Sequence, residues 1–147
     1  MIVLEDLRYI EGHVWARAED GNTVVIGLTD YGQQRLGKIF CIDLPEEGEE
    51  VIKDDVFGTV DGPREVEDLY TPLTGRVIAV NEAVSNNPEL VNDDPYEAGW
   101  LLRIEITQPE EWEELFAPDE YTEFVKEQRL AGEEGDVEEE DLEVQEE

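Results

Sequence analysis

The sequence contains only one histidine, one cysteine and three lysines among its 147 residues. With a single cysteine, Cys41, no intramolecular disulfide can form, and the Ile-Phe-Cys-Ile setting predicts a buried thiol. The single histidine, His13, has neither a second histidine nor a cysteine pair to complete a zinc site, so we expect it to be structural or exposed. These scarce side chains nominate no metal ligand and no catalytic residue.

Long apolar runs are also absent. No stretch of eighteen apolar residues exists, so the sequence predicts no transmembrane helix. The N-terminal residues lack the basic region, the long apolar stretch and the small-residue cleavage site of a secretory signal. We therefore expect a cytoplasmic protein that does not enter the membrane and keeps its thiol reduced.

Because basic residues are few, the charge balance is strongly acidic, with a formal net charge of −31. Ten acidic residues and no basic residue lie from Glu133 onward, so residues 1–132 still carry −21. A surface of this sign repels phosphates, which disfavours binding to nucleic acid and to anionic membranes. An acid-rich, lysine-poor surface indicates either a salt-adapted cytosol or a basic partner, and both explanations stay open.

The first third of the chain predicts a β-hairpin followed by a short helix. Residues 6–28 contain an Asp20-Gly21 turn and a β-branched run after it. Thr29-Asp30 supplies N-cap chemistry, and Asp30 with Gln33 resembles a capping box for a helix over about Tyr31–Leu36. The next segment, Lys38–Leu44, is so continuously apolar that it predicts a strand buried on both faces.

A second hairpin is predicted between Phe57 and Pro72, where two β-prone runs flank Asp61-Gly62-Pro63-Arg64-Glu65. Proline sets its own φ and donates no backbone hydrogen bond, which suits a turn and interrupts a strand. We therefore expect Arg64 near the tip of a displayed turn.

The second half of the chain predicts two more strands, over Arg76–Val80 and Gly99–Ile106, with a loop over Asn81–Pro95 between them. Pro109 suits the first position of a helix, and Pro118 starts a second helix that ends near Gly132.

Together, the predicted strands, turns and helices indicate a mainly β fold with appended α-helices. Seven or eight short strands would form a small antiparallel barrel or sandwich, followed by two C-terminal helices. We expect one domain over residues 1–132. The acidic tail over residues 133–147 has too little apolar content to fold independently, so we expect it to be disordered.

Several motifs occur in one order along the chain: His13-Val14-Trp15, Gly27-Leu28-Thr29-Asp30-Tyr31-Gly32-Gln33, Leu44-Pro45-Glu46-Glu47-Gly48, Asp68-Leu69-Tyr70-Thr71-Pro72, and Asp94-Pro95-Tyr96-Glu97-Ala98-Gly99-Trp100-Leu101. In these motifs the chain resembles the H protein of the glycine cleavage system over roughly residues 6–127. The resemblance implies the barrel-sandwich hybrid (hammerhead) fold of lipoyl and biotinyl carriers. It also implies a non-catalytic carrier whose cofactor is covalent lipoate.

The resemblance breaks at two positions. The family hairpin reads approximately Glu-Ser-Val-Lys-Ala, with lipoate on the lysine, and an alignment without gaps puts Arg64 at that position. The family also has His-Glu-Trp where this chain has Val14, and that glutamate is associated with the pocket that holds the loaded arm. A guanidinium stays protonated and offers no comparable nucleophile, and a valine side chain cannot accept a hydrogen bond from an amine. The changed site therefore predicts a chain without lipoate.

Three functional hypotheses follow. The first is an H-protein-like chain without lipoate that acts as a binding or adaptor protein around lipoyl-handling or glycine-cleavage proteins. The second is a working H protein that shuttles the aminomethyl group of glycine between glycine decarboxylase and aminomethyltransferase. Its lipoyl arm would have to use an unexpected lysine, Lys38 or Lys53. The third, an enzyme in its own right, lacks a nominated nucleophile, base or metal site.

Overall fold

The computed structural model describes residues 2–63, 65–130 and 143–145. Its strands are β1 Ile2–Leu4, β2 Arg8–Tyr9, β3 Val14–Ala18, β4 Thr23–Leu28, β5 Cys41–Asp43, β6 Glu50–Val51, β7 Val56–Asp61, β8 Val66–Tyr70, β9 Gly75–Val80, β10 Leu102–Ile106 and β11 Glu143–Gln145. The helices are α1 Asp30–Leu36, α2 Glu82–Asn86, α3 Glu89–Asp93 and α4 Pro118–Leu130, with a 3-10 helix over Pro109–Glu114.

Most strands belong to two antiparallel sheets. One has six strands in the order β2-β3-β4-β10-β9-β6, and the other has three in the order β5-β7-β8. One apolar cluster joins them, because side chains of both sheets contribute to it, among them Ile26, Ile104, Val60 and Leu69. The predicted mainly β fold with appended helices is confirmed. The predicted strand count was low because β1, β2 and β11 are only two or three residues long, too short to show a period in the sequence.

Both predicted hairpins are confirmed. Strand β3 pairs with β4 so that Ala18 lies opposite Val24, and β7 pairs with β8 so that Asp61 lies opposite Val66. The first turn contains Gly21, whose φ of 66° is one that a glycine adopts without strain.

Helix α1 forms where it was predicted and is capped within Thr29-Asp30 as predicted, but the capping box does not form. Thr29 is the N-cap residue, and its side chain accepts a hydrogen bond from the Gly32 backbone amide at 3.0 Å. The predicted capping pair does something else, because the Gln33 side chain donates to the Asp30 carboxylate at 2.8 Å. Gly37 ends the helix with a φ of 79°.

The predicted strand over Lys38–Leu44 was wrong in length and in burial. Only Cys41–Asp43 is strand, and it lies at the edge of the three-stranded sheet. Burial alternates there: Ile42 is buried, whereas Cys41 is exposed and Phe40 is 62% exposed. The predicted buried thiol was therefore also wrong. A continuous apolar run does not distinguish a strand buried on two faces from an edge strand with one open face.

The predicted loop over Asn81–Pro95 contains two short helices, α2 and α3. Asn81 caps α2 by accepting from the Ala83 amide at 3.2 Å, and Val84 and Val91 anchor the two helices in the core. Helices of five residues are not stable alone, so tertiary packing supports them and the local sequence signal is weak.

At the C-terminal end, the helix predicted at Pro109 is a 3-10 helix, and the helix predicted at Pro118 forms as α4. Its predicted end near Gly132 lies outside the described residues, as does most of the predicted tail. Within that tail, Glu143–Gln145 pairs in parallel with Ile2–Leu4, and the disorder expected for the tail as a whole stays a prediction. An edge strand offers unpaired backbone groups to any extended segment, whatever the charge of its side chains.

A buried polar cluster links β3, α1 and α4. His13 Nδ1 lies 2.8 Å from Tyr121 Oη, which lies 2.8 Å from Thr29 Oγ1. Arg35 Nη1 lies 3.4 Å from His13 Nε2. Burial lowers the pKa of His13 from its ordinary 6.5 to about 3, and the Arg35 guanidinium adds to that lowering, while a hydrogen bond with Gln128 opposes it. His13 is therefore a structural residue that stays neutral.

We predict that replacing this histidine by asparagine removes an acid-sensitive contribution to stability. Between pH 6.5 and 3 the unfolded chain binds a proton that folded His13 does not, so the contribution is complete above pH 6.5 and is lost as the pH falls. At pH 5 the loss amounts to about 2 kcal/mol. Urea unfolding at pH 8 and pH 5 should therefore show a larger acid loss for the wild type than for His13→Asn. An equal loss of unfolding free energy between pH 8 and pH 5 in the two proteins would contradict a buried, neutral His13.

Candidate functional site

The β7–β8 hairpin presents the candidate site at its tip. Asp61 is half-buried, Gly62 is buried, and Pro63 and Glu65 are exposed. The Gly62 amide donates to the Glu65 carbonyl at 3.0 Å, which closes the turn. Arg64, the predicted centre of the site, lies outside the described residues. Its neighbours on both sides are described and define where the turn is presented.

The tip is fixed against the segment that follows α1. A Cβ built on Gly62 would lie 2.4 Å from the Leu36 carbonyl oxygen, so only glycine allows the two backbones this close. The Phe40 amide donates to the Asp61 carbonyl at 3.0 Å. The Pro63 ring lies over Gly37, where an added Cβ would be 3.3 Å from Pro63 Cγ. The described part of the turn is thus held by backbone contacts of Asp61 and Gly62 and by the Pro63 ring.

Asn92, on α3, holds that segment in turn. Its side-chain amide donates to the Gly37 carbonyl at 2.9 Å and to Gln33 Oε1 at 2.8 Å. Its Oδ1 accepts from the Ile39 amide at 2.8 Å. Sequence reasoning missed this residue, because it lies in the stretch predicted to be a loop and its partners are more than fifty positions away.

Large apolar side chains are exposed beside the tip. Phe40 is 62% exposed and Val66 is 64% exposed, and both flank Asp61. These two side chains, one on each side of β7, are available for contact with another protein. This arrangement suits binding.

Val14, the predicted arm-pocket position, is fully buried. It lies in β3 opposite Leu28 and belongs to the apolar core cluster. The structure therefore places this side chain in the core and not on a pocket open to solvent.

The two lysines considered as unexpected attachment points differ in their surroundings. The side chain of Lys38 is 73% exposed, lies directly after Gly37 beside the hairpin tip, and pairs with Glu89 at 3.3 Å. It is not in a strand, contrary to the prediction. Lys53 is only 17% exposed and lies 3.5 Å from Asp54 and 4.0 Å from Glu114. Only Lys38 offers an accessible amine near the tip.

Two negative findings apply to the part of the chain that the structure describes. It contains no group of three or more histidine, cysteine or acidic residues placed to hold a metal ion. None of its helices is long and apolar enough to cross a membrane.

Comparison with known proteins identifies the family. The family model described as glycine cleavage H-protein matches residues 7–128. The chain belongs to the glycine cleavage H-protein family. A glycine cleavage system H protein of Anaeromyxobacter sp. (strain K) is 43% identical over 128 residues, which span 87% of this chain and 99% of that protein. The H protein of Carboxydothermus hydrogenoformans is 42% identical, covering 86% of this chain and 97% of its own.

A solved structure of an H protein is similar to this chain. The crystal structure of a glycine cleavage system H protein from Mycobacterium marinum is similar with a TM-score of 0.74 and 29% identity, covering 84% of this chain and 97% of that chain. The barrel-sandwich fold implied by the sequence motifs is therefore confirmed for this H-family member.

We predict that Gly62→Ala destabilises the tip. The new Cβ would meet the Leu36 carbonyl oxygen at 2.4 Å, and relieving such a contact with backbone costs about 1–3 kcal/mol. Urea unfolding measures the loss in free energy of unfolding. Gly12→Ala is the matched control, because its Cβ would meet side chains and no backbone atom, with Tyr70 at 3.3 Å and Ile10 at 3.7 Å. Equal losses in the two variants would show that the tip is not held by this approach.

Proposed function

We propose that this H-family protein carries no lipoyl group at its hairpin tip and serves as a binding or adaptor protein for lipoyl-handling or glycine-cleavage proteins. The observation that carries the proposal is a firmly anchored tip whose residues offer no amine. H proteins are carriers without catalytic activity of their own, and a member that cannot carry retains only the ability to bind.

The chemistry of the tip residues supports the absence of lipoate. The family's lipoyl chain is held by an amide bond to a lysine ε-amine, which must lose its proton to react. Residues 61–65 provide two carboxylates, a glycine, a proline ring and a guanidinium. A guanidinium keeps its proton, with a pKa above about 12, and does not replace that amine. These residues do not fit the group.

The exposed apolar groups beside the tip support a binding role. Phe40 and Val66 are both more than half exposed, although Val66 lies on the hairpin and the Phe40 amide is hydrogen-bonded to the Asp61 carbonyl of that hairpin. A preformed surface of this kind loses little conformational entropy when a partner covers it. The tip sequence carries both signs of charge, with Arg64 between Asp61 and Glu65, and therefore favours a partner with both acidic and basic groups.

Intact-mass spectrometry of the protein purified from its own cell tests the missing group. We expect the unmodified mass, because no amine is presented in residues 61–65. A lipoyl adduct would overturn the proposal as stated.

The same measurement identifies the second candidate function, a carrier that uses another lysine. The exposure of Lys38 beside the tip is the observation that favours it. In that case the adduct would disappear in Lys38→Arg and persist in the matched variant Lys53→Arg, whose amine is enclosed by two carboxylates.

The adaptor role predicts that changes at the tip weaken partner binding. We expect Arg64→Ala to reduce affinity for a glycine-cleavage or lipoyl-attaching enzyme of the same cell by about threefold or more, which corresponds to losing one interfacial charge. Arg76→Ala is the control, because Arg76 is an exposed arginine on β9 of the other sheet. Calorimetric titration gives both affinities. Equal affinities of Arg64→Ala and Arg76→Ala for the partner would show that the Arg64 side chain does not contribute to binding.

A further inference from the structure

A second surface with half-buried apolar side chains lies along α4 and shares no residue with the hairpin tip. We call it the α4 groove. It is a shallow depression of about 450 Å³, lined by Phe116, Asp119, Glu120, Glu123, Phe124 and Glu127. Its two aromatic rings form the floor, with centroids 5.4 Å apart, and the four carboxylates form the rim.

The floor of the groove is held in place from inside. Phe116 exchanges two backbone hydrogen bonds with Tyr9, at 3.0 and 2.8 Å. The Phe124 ring lies 6.1 Å from the buried His13 ring. The inner side of each phenylalanine therefore packs against the core, while both rings remain half-buried and open on the outside. A site formed in advance needs little rearrangement to accept an apolar side chain.

The rim of the groove has one sign of charge. All four rim side chains are exposed carboxylates, and no described side chain that lines the groove is basic. Lys126 lies near the rim and pairs with Glu123 at 3.8 Å, but both are exposed, and such a pair is weak. The rim therefore attracts cationic side chains.

The groove continues past Phe116 into a neighbouring depression. That depression shares Phe116 and is lined further by Tyr70, by carboxylates such as Glu11 and Asp54, and by one basic side chain, Lys53, which pairs with Asp54 and Glu114. Apolar and acidic groups thus extend beyond the α4 groove. Such a surface fits an extended or helical chain segment better than it fits one small molecule.

We propose that the α4 groove binds a basic amphipathic segment of a partner protein. An apolar side chain of the segment seats against Phe116 and Phe124, and lysine or arginine side chains on either side pair with Glu123 and Glu127. This binding surface goes beyond the adaptor role proposed for the hairpin tip and does not depend on the state of residue 64.

The groove could be covered by a segment of another protein, by the C-terminal segment of this chain or by a second copy of the chain, and charge distinguishes these three occupants. The C-terminal segment from Glu133 has ten acidic residues and no basic one, and a second copy of the chain carries −31. Both would bring carboxylates against the acidic rim, which costs free energy. A basic partner has the complementary charge.

The test uses the full chain and a short labelled synthetic peptide in which lysines alternate with leucine and phenylalanine. We expect the double variant Glu123→Gln/Glu127→Gln to bind the peptide about fourfold or more weakly than the wild type. The matched control is Glu46→Gln/Glu47→Gln, which changes the net charge equally at an exposed turn away from the groove. Fluorescence anisotropy measures each affinity.

A second peptide tests the apolar floor, with every leucine and phenylalanine replaced by alanine at unchanged charge. We expect it to bind about tenfold more weakly than the first peptide, because no side chain remains to cover the two rings. Equal binding of the two peptides, or equal weakening by the groove and control variants, would overturn the proposal and indicate diffuse attraction to an acidic protein. Self-association of the wild type that Glu123→Gln/Glu127→Gln strengthens would also overturn it, with a second copy as the occupant.

Discussion

The position of the β7–β8 hairpin depends on the close approach of the Gly62 backbone to the Leu36 carbonyl at the end of α1. That helix is only seven residues long and needs support at both ends. At its start, Thr29 caps the helix and touches Tyr121 of α4, which reaches the buried His13. At its end, Asn92 binds the Gly37 carbonyl. A short helix therefore connects the tip of the hairpin to the interior and to α4.

The acidic surface gives this framework its chemical character. At a net charge of −31, most charged side chains of the protein are carboxylates. Apolar side chains are open to water at Phe40 and Val66 beside the tip and, in part, at Phe116 and Phe124 along α4. The α4 groove combines its apolar centre with an acidic rim, whereas the tip sequence carries both signs of charge. Electrostatic attraction would steer basic partners toward the groove, while contact with the apolar centre would select among them.

Much of the fold was predictable because its signals are local. The Asp20-Gly21 turn, the proline at the second tip, the caps of α1 and the start of α4 at Pro118 depend on a few adjacent residues, and the structure has these elements there. The errors concern features that distant contacts decide. Cys41 is exposed because β5 is an edge strand. The helices α2 and α3 exist because Val84 and Val91 find places in the core.

The sequence by itself determined the family motifs, the acidic charge and the presence of an arginine at position 64, since these are properties of the residues and need no neighbours. Only the tertiary structure decided which side chains surround the tip. It placed Gly37, which precedes Lys38, against Pro63, and it enclosed the Lys53 amine. It also used the Asn92 side chain to hold the segment against which the tip packs. It also formed the α4 groove from residues on two elements. These outcomes required packing between segments far apart in the chain, and no local propensity encodes such packing.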